Sequence, residues 1–539
     1  MKKKIKLLSV LTLVVSSITL SSCIFIRGDL VDDNTSSKTP TVSGDVTYNT
    51  PNYPTGSTTQ LLNKDNIGLC FNQRYFPSVG TNNLLVIPVE FQKNGVVDHF
   101  SSSTLQMIEN TFFGDEEDTG WESLSSFYEK SSYGKLKIQG EVAKPVTSTY
   151  SLDYITEQYQ KNPNYDSVYV SIVETIVKKA IEKTIANGTD ISKYDNNKDG
   201  YIDGIWLIYN QHYSTTNDLF WAFTSWMTSD PSFTYNNSTY KANLYAWASI
   251  SFINNGFYKN YLTSKSGDSH TIIHETGHML GLDDYYNNTY INKVRESPTG
   301  GIDMMDYNVI DHMGYSKYFL NWITPTVIND AYVSSHGTEI TINSLVDQQD
   351  CYILPVYKNN VEVNNGTPFD EYLVLETYTP TSLNQADSKH IYENGAIAPN
   401  STGLRVYHVN AKVGKISASS NKLIWDGCSY DKIPANNKST YGYYYLYSNM
   451  QERSYGTIID DVNLNYYRTR LVSILPKDEK KTTEKNLFKA SSMYTKGDKF
   501  MCEGGSYTNF KFDDGNRPKY GFEVTDLTSS SVTISLKTL

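Results

Sequence analysis

The sequence predicts two folded parts: an α/β domain with a mixed sheet and a central helix over residues 80–325, then a β-sandwich-rich domain over 326–539. Three observations lead there. At 539 residues the chain exceeds what one hydrophobic core serves, so two or three domains are expected. Up to residue 325, apolar runs of strand length alternate with segments whose apolar residues recur at helical intervals, the pattern of a layered α/β domain. After Pro325 come short β-rich runs, such as Tyr372–Thr377 and Leu404–Val409, separated by Asn, Gly, Pro and Ser turns.

Met1-Lys2-Lys3-Lys4-Ile5-Lys6 is a basic opening, and the apolar run Leu7–Leu20 behind it is too short and too interrupted by serines for a transmembrane span. It reads as a signal peptide. It ends in Leu20-Ser21-Ser22-Cys23: an apolar residue, two small ones and a cysteine, the pattern of a bacterial lipobox. Residues 1–23 are therefore expected to be a lipoprotein signal peptide whose Cys23 is lipidated. The alternative is an ordinary signal peptide cut nearby. Several acyl chains on Cys23 would hold the protein stably outside the cell, anchored to the bacterial membrane. Residues 24–60 contain almost no large aliphatics and cannot offset their ordering entropy, so a flexible tether is expected. Residues 61–79 are a lead-in or pro-like segment.

The elements of the first domain follow in order. Leu84–Phe91 (LLVIPVEF) is a strand, Ser103–Phe113 and Trp121–Ser131 have helical spacing, and Lys135–Val142 alternates as a half-buried strand. Between Asp166 and Asn187 the residues Val173, Ile176, Val177, Ala180 and Ile181 recur at helical intervals. Ile202–Tyr209 and Leu244–Phe252 read as buried strands. Composition adds an exclusion: a net charge of −11 argues against nucleic acid or an anionic surface as partner.

The chemistry centres on His274-Glu275-Thr276-Gly277-His278. Histidines four apart on a helix emerge from one face and can share one Zn2+ ion. Glu275 beside them suits a general base that takes a proton from a metal-activated water and returns it to a leaving amine. Gly281 can end the helix in left-handed geometry and reverse the chain, bringing Asp284 round as a third ligand. Three protein ligands plus water make a catalytic centre rather than a closed structural one. Asp283 stands next to Asp284, so either aspartate can be the third ligand.

Downstream, Gly300-Gly301-Ile302-Asp303-Met304-Met305-Asp306-Tyr307 resembles the Met-turn of metzincin peptidases, with Met305 favoured as the apolar floor beneath the imidazoles. Tyr307 stands where some metzincins carry a tyrosine that swings onto the metal or the oxyanion, the alternative being one packing residue among 44 tyrosines. Residues from about 80 to 535 resemble the immune inhibitor A-like bacterial metallopeptidases, a metzincin group with aspartate in place of the third histidine. The resemblance is carried by LLVIPVEF, Phe112-Phe113-Gly114, SLSSFYEKSSYGKLKIQGEV at 123–142, the zinc motif, Asp303-Met304-Met305, HMGYSKYFLNWITP at 312–325, EYLVLE at 371–376 and GLRVYHV at 403–409. It implies a metzincin-like catalytic domain, an endopeptidase acting on protein or peptide substrates, ligands His274, His278 and Asp284, and the base Glu275. One departure is Asp283, where members of the group often have proline.

A second constellation is Asp195-Asn196-Asn197-Lys198-Asp199-Gly200-Tyr201-Ile202-Asp203. Asp195, Asn197, Asp199, Tyr201 and Asp203 offer oxygens at alternate positions with a glycine sixth, the layout of a Ca2+ loop, although Trp206 replaces the glutamate at the twelfth. The alternative is a turn cluster. Cys70 is a weaker candidate, as a latency ligand to zinc; otherwise it is a buried or disulfide-bonded cysteine. Cys351, Cys428 and Cys502 show no metal spacing and no readable pairing. Asp268 and His270 are candidates for groups supporting the ligands, or merely for the start of the helix. Two rival readings are a surface lipoprotein that binds a protein or polymer without cutting it, and an enzyme whose third ligand is Glu296.

Overall fold

The computed structural model describes Lys64, Asp65 and residues 73–119, 121–161, 165–213, 220–254, 267–287, 290–291, 294–392, 396–417, 422–426, 441–445, 449 and 470–539. The signal peptide, the tether, Cys23, Cys70 and Cys428 lie outside the described residues. Among those described, no helix is long and apolar enough to cross a membrane.

The first part is built on β1 (Gly80–Glu90), β2 (Leu136–Val142), β3 (Ile205–Tyr209), β4 (Phe223–Trp226) and β5 (Leu244–Ser249). Their order in the sheet is β2-β1-β3-β5-β4. All neighbours run parallel except β4, which pairs antiparallel with β5 and makes the sheet mixed. The apolar runs of β1, β3 and β5 are continuous rather than alternating because both faces of this sheet are covered. Leu84, Val86, Trp206, Ile208, Ala246 and Ala248 point into one core, while Leu85, Ile87, Leu207, Tyr209, Tyr245 and Trp247 point into another. A one-residue slip would exchange the two sets, so the register is fixed by both cores at once.

The second core is roofed by a long helix, Tyr165–Ala186, whose Val173, Ile176, Val177, Ala180 and Ile181 are the periodic residues of the sequence, all buried there. On the opposite face lie α1 (Ser102–Phe113) and α2 (Leu124–Ser131). Ser101 caps the first by accepting from the Thr104 amide, and Ser123 and Ser126 form a capping box on the second. Beside them, packed on β4 and β5 and against α2, runs α3 (His270–Met279), all ten residues of which are buried. A helix covered on every side belongs in the middle of a molecule, not on its surface.

Two of the second part's sheets build its core. One is built on β6 (Tyr352–Lys358), β7 (Glu371–Tyr378), β8 (Gly403–Asn410) and β9 (Val472–Ile474), antiparallel to one another in that order. The other joins Glu339–Asn343, Ser531–Thr538, Tyr520–Leu527 and Lys499–Phe500. Leu354, Leu373, Leu375, Leu404 and Val406 share a core with Phe500, Phe522 and Ile534 of that second sheet. The alternate residues of the same strands, Tyr372, Val374, Tyr378, Tyr407 and Val409, turn the other way into the core that holds α3. The helix carrying His274 and His278 therefore lies between the sheets of the two parts, in a core to which both contribute.

Residues 73–79 are integral to this arrangement. Phe76 is fully buried, its amide donates to the Met279 carbonyl at the end of α3 (2.8 Å), and Trp226 and Trp322 donate their indole N–H groups to the Arg74 and Ser78 carbonyls, each at 2.7 Å. Cys351 and Cys502 are free thiols.

Candidate metal centre

The site starts from how α3 ends. The Leu282 amide reaches back to the Gly277 carbonyl (3.0 Å) and Gly281 adopts φ +102°, a glycine-dependent closure of the helix. The chain then doubles back, and the Tyr285 amide donates to the Met305 carbonyl (2.8 Å), pinning the return segment to the turn that follows. That turn is held by two buried aspartates. Asp303 accepts from the Met305 and Met313 amides, and Asp306 accepts from Ser297, Thr299 and the Gly301 amide.

Three side chains meet in the resulting crease. His274 Nε2 and His278 Nε2 are 3.2 Å apart, and Asp284 Oδ1 lies 3.2 Å from each. Each imidazole has its other nitrogen on a backbone carbonyl, His274 Nδ1 on Met304 (2.7 Å) and His278 Nδ1 on Leu282 (2.9 Å). Carbonyls only accept, so both Nδ1 atoms carry the proton and both Nε2 atoms present lone pairs. Two lone pairs and a carboxylate oxygen thus face one another in a fully buried place, an arrangement that repels unless a cation lies among them. The size fits: with metal–ligand bonds of about 2.0–2.1 Å, the edge of a tetrahedron is ~3.3 Å. The set of two imidazoles and one carboxylate can hold a metal ion. Without a cation between them the rings can instead take a second proton and donate through Nε2; burial alone would raise the Asp284 carboxyl, but His278 and His274 in that form outweigh it and hold Asp284 well below the usual carboxylate range.

Glu275 sits on the same helix, wholly buried, and neither of its carboxylate oxygens makes a hydrogen bond of normal geometry among the described residues. Burial pushes its carboxyl up to about 8, with His278 and Thr224 opposing and Asp284 adding to the rise. Its backbone is held from β4, where Thr224 Oγ1 donates to the Glu275 carbonyl (2.7 Å). Trp206 of β3 donates to Thr276 Oγ1 (3.1 Å), and Tyr128 of α2 donates to the Ile273 carbonyl (2.7 Å). Gly277 lies against the Met-containing turn: a Cβ there would stand 2.5 Å from Met305 Sδ. Met305 thus lies beneath the ligand-bearing helix, while Met304 supplies the carbonyl that orients His274.

Other candidate residues are placed differently. Asp283 turns its Oδ1 onto the Asp284 amide (2.9 Å), away from the two imidazoles. The Tyr307 hydroxyl accepts from Arg295 (2.7 Å). Glu296 is bound by Arg470 and Lys481, far from a ligand's role. In the 195–203 loop, Asp195 accepts from the Asp199 and Gly200 amides, Asn197 from Asp199, Asp199 from Tyr201 and Arg74, and Asp203 from Asn196. These oxygens are turned onto the loop's own backbone and a guanidinium. Among the described residues, the acidic and histidine groups whose ligand atoms lie close enough together to hold one ion are His274, His278 and Asp284, and a second set, Glu371, His408 and Asp513. In the second set, Glu371 already receives His408, Lys412 and the Asp513 amide, a satisfied ionic network.

Sequence reasoning missed Thr224, Trp206, Gly277 and Asp306. None carries a local signal, because each acts through a partner distant in the chain or through the space it leaves. Comparison of the sequence with protein-family models and with curated proteins finds no match.

Proposed function

We propose that the chain is a zinc-dependent endopeptidase of metzincin type, resembling the immune inhibitor A-like enzymes and displayed outside a bacterial cell through a lipid on Cys23. One observation carries the reading: three buried ligands at 3.2 Å spacing with a partner-poor glutamate on the same helix. A zinc ion held by His274, His278 and Asp284 supplies a Lewis acid and an activated water. The protein's own part is then acid–base work. Glu275, on the same helix as the two imidazoles and with neither carboxylate oxygen in a hydrogen bond of normal geometry among the described residues, accepts the proton of the attacking water and delivers it to the departing amine of the cleaved peptide bond. Met304 and Leu282 keep the imidazoles in the tautomer that leaves Nε2 free, and Thr224 fixes the helix backbone at the base.

The test is cleavage of an unfolded protein by the zinc-loaded chain, with and without a chelator. Wild type is expected to cleave, and chelation to abolish cleavage. Glu275→Gln is expected to lose about 10²–10⁴-fold in kcat while retaining zinc. Undiminished cleavage in that variant overturns the assigned mechanism. A chain that binds zinc stoichiometrically and cleaves nothing overturns the enzyme reading in favour of a binding protein.

A further inference from the structure

Four residues before the first metal ligand, His270 is 1% exposed and bonded on both sides. Its Nδ1 lies 2.9 Å from Asp268 Oδ1 and its Nε2 3.3 Å from Asp387 Oδ1. Carboxylates accept only, and a neutral imidazole has a single N–H to give. Two buried carboxylates on the two nitrogens are matched by the doubly protonated ring. The faces of the ring agree with a cation: Trp121 stacks on one at 4.0 Å and 14°, and Tyr392 stacks at 4.6 Å and 25°. None of these groups takes part in holding the metal or moving its protons.

The contacts join segments far apart in the chain. Asp387 belongs to the second part, where its other oxygen accepts from the Ile310 amide (2.6 Å) just after the Met-containing turn. Asn384, three residues earlier, accepts from the Asp311 amide (3.0 Å). On the near side, Ser269 donates to the Glu122 carbonyl (2.6 Å) beside Trp121. We infer that His270 is a positioning residue, an imidazolium that fastens the 381–392 segment of the second part to the N-terminus of the helix bearing the metal ligands. Loss of its charge takes the ring's N–H away from one of the two carboxylates and loosens the segment from the helix. The titratable groups facing the ring are Asp268 from its own segment, Asp387 from the 381–392 segment and the phenol of Tyr392. Glu122, next to Trp121, is engaged by Lys130 and Ser126. Burial opposes the charge, but Asp387 and Asp268 outweigh it and raise the imidazole to about 9.

The charge of His270 and its contacts stand independently of the zinc-peptidase reading; its effect on turnover rests on that reading. Trp121 supplies a readout that needs no substrate, because a protonated imidazole in face contact quenches indole emission. In the full-length zinc-loaded protein, emission is expected to rise in a step centred near pH 9. The step should vanish in Trp121→Phe and His270→Gln, and move down by about one unit or more in Asp387→Asn. Where His270→Gln does not fold, Asp387→Asn, which removes charge and keeps shape, carries the test. A wild-type midpoint near 6.5, or a step that survives loss of His270, overturns the inference. In turnover, kcat should fall along the same limb with KM kept, and the limb should move with the emission step in Asp387→Asn. A limb unmoved in that variant overturns the positioning role. An emission step that behaves as stated in a protein without peptidase activity sinks the enzyme reading and leaves the imidazolium clamp standing.

Discussion

Two adjacent aspartates show what a single side chain decides. Both Asp283 and Asp284 follow the reversing glycine, so spacing alone leaves each within reach of the metal. Backbone geometry separates them: Asp283 spends its Oδ1 on the amide of its neighbour, and Asp284 alone meets the imidazoles. Removing Asp284 leaves two ligands, and zinc retained after dialysis is expected to fall by at least ~100-fold in Asp284→Ala. Asp283→Ala loses one hydrogen bond of about 1 kcal/mol, and its zinc affinity should drop by roughly fivefold. Equal losses in the two variants would contradict the assignment. The histidines and Glu275 were legible because a helix turns the interval of four residues into a common face. The choice between aspartates was not legible, because it depends on which side chain folds back onto its own backbone.

At the level of helix and turn, the central relation is between α3 and the Met-containing turn. Gly277 leaves room for Met305, whose side chain is fully buried, so a Cβ at 277 would force it to shift. Gly277→Ala is therefore expected to cost about 1–3 kcal/mol of stability and to weaken zinc binding. Met305→Ala in the same chain should relieve part of that cost, so the two penalties combine to less than their sum in thermal melts. Additive penalties would show that the contact is not the cause. A second element-level prediction concerns Glu371, which ties β7 to Lys412, His408 and the 513 amide. Burial would raise it, but Lys412 and His408 hold it down at about 2. A depressed carboxyl stabilises the fold at pH values above its ordinary 4.5, and that contribution fades as pH falls towards 2. Urea unfolding across this window should show a shallower loss in Glu371→Gln than in wild type. The long helices were visible in the sequence through their period of 3.6, and the buried strands as continuous apolar runs of strand length. Strand β4 was not: Phe223-Thr224-Ser225-Trp226 is short and has no alternation, and it is made a strand by pairing with β5.

On the scale of the whole molecule, the two parts are not independent bodies. The sequence marks the change of pattern at Pro325, and it reads Tyr372–Thr377 and Leu404–Val409 as short β-rich runs. It does not say that one face of those strands completes the core of the first part. Because Tyr372, Val374, Tyr407, Ile474 and Phe488 pack into the core that holds α3, a fragment ending at residue 325 would leave the site half-covered. Such a fragment is expected to be insoluble or to bind apolar dyes, and limited proteolysis of the native chain should release no stable piece corresponding to 73–325. Recovery of a folded, zinc-binding 73–325 fragment would refute this.

The shared core also has a consequence in time. Phe488 packs beneath Gly300, and its amide donates to the Gly300 carbonyl (2.9 Å) beside the Met-containing turn. It leaves the ribosome roughly 210 residues after His278, which at 5–20 residues per second is on the order of 10–40 s. For that interval the ligands exist as a sequence but not as a site. A nascent chain with this layout cannot bring these three side chains into their finished surroundings until most of it has been made.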